Sequence, residues 1–133
     1  SLIFGVLVCL NSCVPVSESQ SLEGEWSCHE TSEIFLESQK ATKGTSIFPV
    51  YFAQDVTNDN KYYIDNFYQL GDGTQVSILI SGERSITIET QTVSGIEFSG
   101  SGTIDASFNS IDLTYTADDG GGEIDHVVAT YTR

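Results

Sequence analysis

QVSILISGERSITIETQTVSGIEFSGSGTI, residues 75–104, alternates apolar and polar side chains in three successive runs with short breaks between them. Val76, Ile78 and Ile80 share one side of the first run, Ile86, Ile88 and Thr90 one side of the second, and Ile96, Phe98 and Ile104 one side of the third. A period of two belongs to strands that bury one face; a helix would repeat near 3.6. SGER, between the first two runs, has the composition of a tight connection.

The same rhythm continues on both sides. SLEGEWSCHE puts Trp26, Cys28 and Glu30 on one face and Ser27 and His29 on the other. IFPVYFAQDV (47–56) runs into the turn TNDN, and KYYIDNFYQL (61–70) into the turn GDG. Towards the C-terminus SIDLTYTA aligns Ile111, Leu113 and Tyr115, and after DDGGG the segment HVVATYTR aligns Val127, Ala129 and Tyr131. Short runs about ten residues apart predict an all-β fold of about eight strands, an antiparallel up-and-down barrel or a β-sandwich. Gly100 and Gly102 favour the barrel, because glycine at the apolar phase of a strand either permits a sharp coil or leaves room inside. Residues 31–46, including TSEIFLESQKA, fit a longer first strand, a short helix or a loop across a barrel end.

Gly24-Glu25-Trp26 resembles the G-x-W that opens lipocalin and wider calycin barrels, where the Trp closes one end. Residues 66–133, with NFY, SITI, GSGTI, LTYT, DGGG and a final ATYT, resemble the small lipocalin-like lipoproteins of Bacteroidetes. The resemblance implies an exported, barrel-shaped lipoprotein and carries no catalytic residues with it.

The first ten residues, SLIFGVLVCL, are uncharged and too short for a spanning helix, which takes about 20 apolar residues, but they fit the apolar part of a secretory signal. Leu10-Asn11-Ser12-Cys13 resembles the lipobox, with Asn11 where a small residue is usual. On that reading residues 1–12 are a truncated signal peptide that takes Cys9 with it. Cys13 is lipidated, 13–22 is a tether, and 23–133 is the barrel domain. The tether reaches at most roughly 30 Å from the membrane. The alternative makes Cys9 and Cys13 core residues or a disulfide. If the anchor reading holds, only Cys28 of the three cysteines stays free, and packing alone stabilises the exported domain. The anchor is the expected membrane contact, with the outer membrane as the expected location.

Five basic against nineteen acidic residues give a net charge of −14, which disfavours nucleic acid and anionic headgroups, since both are bound through Lys and Arg. DDGGGEIDH, residues 118–126, holds four carboxylates and a His, enough oxygen to consider Ca²⁺. Its spacing fits neither an EF-hand nor a calcium-binding repeat, and the plainer reading is a solvated hairpin loop in which Gly120, Gly121 and Gly122 supply positive φ. TNDN has the same two readings. Cys28 and His29 are neighbours on a strand and point to opposite faces, so they make no common site. No nucleophile elbow, Cys-His pair or zinc spacing occurs, so neither an enzyme nor a metal or cofactor is expected.

Seven of the fourteen aromatic residues lie between 48 and 68. In KYYIDNFYQL strand phase places Tyr62, Ile64 and Tyr68 on one face and Tyr63 and Phe67 on the other. The outer pair is then a surface for a sugar, an apolar ligand or another protein. Two functions follow for a monomeric domain. One is a barrel holding a small apolar ligand against Trp26, Ile88, Phe98, Leu113 and Tyr131, with Gly100, Gly102 and Ala129 making the space. The other is a carbohydrate- or protein-interaction module that uses Tyr63 and Phe67.

Overall fold

A computed structural model describes residues 21–33 and 44–133. Cys9, Cys13, the signal and most of the tether lie outside the described residues, as does most of the 31–46 segment. Eight strands appear: β1 (Gly24–Ser32), β2 (Gly44–Gln54), β3 (Lys61–Asp65), β4 (Gln75–Ser81), β5 (Ser85–Val93), β6 (Ile96–Ile104), β7 (Ser110–Asp118) and β8 (Ile124–Thr132). Each pairs antiparallel with its neighbour in the chain, and β8 returns to β1 through the pairs Ser27 with Thr132 to Ser32 with Val127. The result is a closed up-and-down barrel, not a sandwich, and closure leaves no open sheet edge for another chain to extend.

The start of β1, the connections 55–60, 82–84 and 105–109, and Arg133 meet at one end, called lower here. The connections 66–74, 94–95 and 119–123 form the upper end. Ser94 and Gly95, with φ of 55° and 78°, make the two-residue hairpin that suits the right-handed twist of its flanking strands.

Burial follows the alternation closely in β1, β7 and β8. It departs from it in two places. In β5 the register to β6 shifts between Ile88 and Gln91, so Thr90, expected beside Ile86 and Ile88, faces solvent. This bulge interrupts the ladder between β4 and β5, and the Gln91 amide replaces part of it. Its Oε1 accepts the Ser77 N–H at 2.9 Å and its Nε2 donates to the Ser77 carbonyl at 2.9 Å.

The second departure is larger. β3 ends at Asp65, and the expected strand over 61–70 becomes a turn in which Asn66, Tyr68 and Gln69 have φ of 66°, 58° and 59°. Asn66 tolerates this left-handed conformation, and its side chain holds the turn, donating to the Pro49 carbonyl and accepting the Gly71 N–H, each at 2.8 Å. The chain folds inward. Phe67, expected on the surface, is fully buried, its ring centroid 4.6 Å from Tyr115 and 5.2 Å from Phe98. Tyr62, Ile64, Phe67 and Tyr68 therefore all fill one core, because two-faced alternation ceases where the strand does.

Gly100 and Gly102 do not open space, because β7 approaches them too closely for a side chain. A Cβ at Gly100 would run into the Thr114 carbonyl and the Tyr115 Cβ, and one at Gly102 into the Asp112 carbonyl and Leu113.

Candidate functional site

The five residues expected to line a ligand cavity, Trp26, Ile88, Phe98, Leu113 and Tyr131, all point inward and are buried. They are packed into the core itself. Trp26 lies 5.2 Å from Phe52, Phe52 meets Tyr131 edge-on at 5.7 Å, and Phe98 meets Phe67 and Tyr68 edge-on at 5.2 and 5.7 Å. Such pairs hold an aromatic core together and occupy the volume a ligand would need.

Above this core sits a buried polar cluster. Glu30, Ser32 and Asp125 lie at inward positions of β1 and β8 and are almost completely shielded from solvent. The Tyr115 hydroxyl donates to Glu30 Oε1 at 2.6 Å, and the Tyr68 hydroxyl donates to Asp125 Oδ2 at 2.5 Å. The Ser32 hydroxyl donates to the same Asp125 oxygen. Cys28 Sγ stands 3.9 Å from Glu30 Oε1. Burial, and secondly the neighbouring Glu30, push the Cys28 thiol far above its ordinary range, so it is a poor nucleophile at neutral pH. Burial also pushes Tyr115 and Tyr131 well above theirs, so both remain hydrogen-bond donors. The cluster's chemistry is cohesive: through Tyr68 it ties the inward turn to β8.

The lower end is built differently. One side is filled by Trp26, whose Nε1 donates to the Leu22 carbonyl at 2.8 Å and whose ring lies 4.4 Å beneath the Arg133 guanidinium. Arg133 also donates to the carbonyls of Ser21 and Phe108 at 2.9 and 2.8 Å. The other side holds a half-open recess of about 560 Å³. Its apolar wall comes from Leu22, Tyr62 of β3, Ile80 of β4 and Phe108. Its rim comes from Ser21, Gln54, Asp59 and Asn60 on one flank and Gly82, Glu83 and Arg84 on the other. Leu22, assigned to the tether by sequence, belongs to the core. Its N–H donates to the Tyr62 hydroxyl at 3.2 Å, with Ser21 Oγ 3.4 Å from the same oxygen.

Phe108 is held at φ 61°, uncommon for an aromatic residue. Its N–H donates to the Asp105 carbonyl at 2.8 Å, and the Asp105 carboxylate takes the N–H and hydroxyl of Ser107, both at 3.0 Å. Those bonds to Ser107 hold the Asp105 carboxyl below its ordinary value. Strain of about 1–3 kcal/mol at such a residue persists only where its surroundings impose it.

Of the two outer aromatics expected, only Tyr63 faces outward, its hydroxyl donating to Asp55 Oδ1 at 2.8 Å. Three of the loop carboxylates serve their own backbone: Asp118 accepts from Gly120, Asp119 from Gly121, and Asp55 from Thr57. Among the described residues no three His, Cys, Asp or Glu side chains are placed to hold one metal ion. Sequence reasoning missed the recess, and the one local signal for it was Phe108, an apolar ring alone in the polar turn DASFNS. Comparisons with models of known protein families and with curated proteins returned no match.

Proposed function

We propose that this chain is a non-catalytic envelope lipoprotein, anchored through Cys13, whose barrel binds a small ligand at the lower end. The observation that carries the reading is the recess of about 560 Å³ beside a core otherwise packed with rings. Its size falls within the roughly 300–1,000 Å³ usual for small-molecule sites, and it joins an apolar wall to a few polar groups. The apolar contact expected of Trp26, Ile88, Phe98, Leu113 and Tyr131 passes to Ile80 and Phe108, backed by the buried Leu22 and Tyr62. The inward position of Phe67 weighs against the module reading that relied on it.

Native mass spectrometry of residues 18–133, followed by organic extraction, tests ligand capture. A stoichiometric adduct that disappears in Ile80→Glu supports it; a clean apo mass for the wild-type domain, with no binding to any added ligand class, sinks it. The anchor has a separate test, since Cys13→Ser should move the full-length protein from the membrane to the soluble fraction.

A further inference from the structure

We propose that the lower recess is a saccharide site that takes a neutral sugar ring, an assignment resting on the ligand-binding reading above. The argument begins with the rim. Asp59, Asn60, Glu83 and Arg84 bring carboxylate, amide and guanidinium groups to the mouth of one recess. Together these groups supply both acceptors and donors to one recess, and each hydroxyl of a sugar can donate to one kind and accept from the other. The wall supplies the rest. Phe108, partly exposed in the recess, offers aromatic surface for the C–H face of a pyranose ring, and it is held there in a left-handed backbone conformation by the Asp105 turn and Arg133, with the buried Tyr62 behind it.

Other ligand classes fit the same recess worse. A fatty acyl chain would lie against charged rim groups and strip them of water without offering hydrogen bonds, and the ring-filled core gives it no depth to thread into. An anionic ligand meets Asp59, Glu83 and a protein of net charge −14. A cationic amine is drawn by Asp59 and Glu83 and opposed by Arg84, but its few donors leave most of the rim's hydrogen-bonding groups unused, and choline is therefore the competing probe in the test. A neutral polyhydroxylated ring escapes the desolvation that disfavours the acyl chain and the repulsion that disfavours the anion, and it engages the rim's acceptors and donors together. An open, water-exposed site with few contacts sets the affinity at about 1 mM for a single sugar unit.

The test is a two-dimensional NMR titration of the purified ¹⁵N-labelled protein. The probes are neutral hexoses, N-acetylhexosamines and their disaccharides, with 1-dodecanol and choline run in parallel. Saturable shifts of the Asn60, Ile80, Arg84 and Phe108 amides with at least one saccharide are expected. Asn60→Ala and Arg84→Ala should each weaken that binding about tenfold, the loss of one good hydrogen bond. Phe108→Ala should abolish it and Phe108→Tyr retain it, with thermal unfolding measured on every variant to separate lost contact from lost fold. If dodecanol or choline moves these amides and no saccharide does, the sugar assignment is wrong and ligand binding stands. If no probe moves them, both readings fall.

Discussion

The two ends of this barrel solve opposite problems with the same kind of residue. At the upper end polar side chains are turned inward and buried: Glu30 and Asp125 accept from Tyr115, Tyr68 and Ser32, and the inward turn carrying Phe67 joins them through Tyr68. At the lower end Asp59, Asn60, Glu83 and Arg84 stand exposed around a recess. A buried hydrogen-bonded cluster specifies structure, whereas exposed groups around an apolar wall retain capacity for a partner. Stability should therefore be concentrated at the top and binding at the bottom.

Substitutions at the two ends should separate these properties, and the largest effect is expected from the plug. Phe67→Ala removes a ring packed on Phe98 and Tyr115, and should cost about 3–5 kcal/mol in urea unfolding. A value under about 1 kcal/mol would mean that the turn is not integral to the core. Asp125→Ala leaves the Tyr68 and Ser32 hydroxyls without that acceptor and should cost about 1–3 kcal/mol in the same assay.

High pH offers a third comparison, and its direction follows from the raised pKa values. The folded state holds the protons of Cys28, Tyr115 and Tyr131 more tightly than the unfolded chain, whose thiol and phenols ionise from their ordinary values of 9.0 and 10.0. Their contribution is therefore complete below pH 9.0 and lost as pH rises above it. Each proton released only on unfolding steepens the decline by up to about 1.4 kcal/mol per pH unit. Cys28→Ala should delay the onset of that decline to pH 10.0, where the tyrosines begin. The lower loops respond at the opposite extreme. Asp105 and Asp55 are held below their ordinary 3.8, so what they contribute is present above that value and lost as pH falls through their folded values.

The smallest stability effect belongs to the rim. Asn60→Ala and Glu83→Ala should stay within about 0.5 kcal/mol of wild type, since both side chains are exposed. A larger loss would show the lower rim to be structural like the upper cluster.

Strand phase was legible in the sequence because it is local. Val127, Ala129 and Tyr131 announce an inner face with no knowledge of what they meet, and Glu30 and Asp125 already stood at inward phase beside Cys28 and Val127. The inward turn was not legible, because NFYQL alternates as a strand does and what distinguishes it is the left-handed φ of Asn66, Tyr68 and Gln69, of which only Asn66 is a residue type that favours that conformation. The bulge was hidden where GluThrGln offers no apolar contrast to mark a change of face. The recess gathers residues from 21 to 108 in sequence, and only closure of the barrel brings them together.

Leu22 gives the lower end a mechanical meaning. The chain enters the barrel there through three linked contacts: the Leu22 N–H on the Tyr62 hydroxyl, the Trp26 indole on the Leu22 carbonyl, and Arg133 on the Ser21 carbonyl. Ser21, Leu22 and Tyr62 also line the recess. A pull on residues before Ser21 would load this clasp first, and if it yields, a wall of the recess goes with it while the upper half keeps its shape. The barrel is thus built so that tension on the segment before Ser21 reaches the recess before it reaches the rest of the fold.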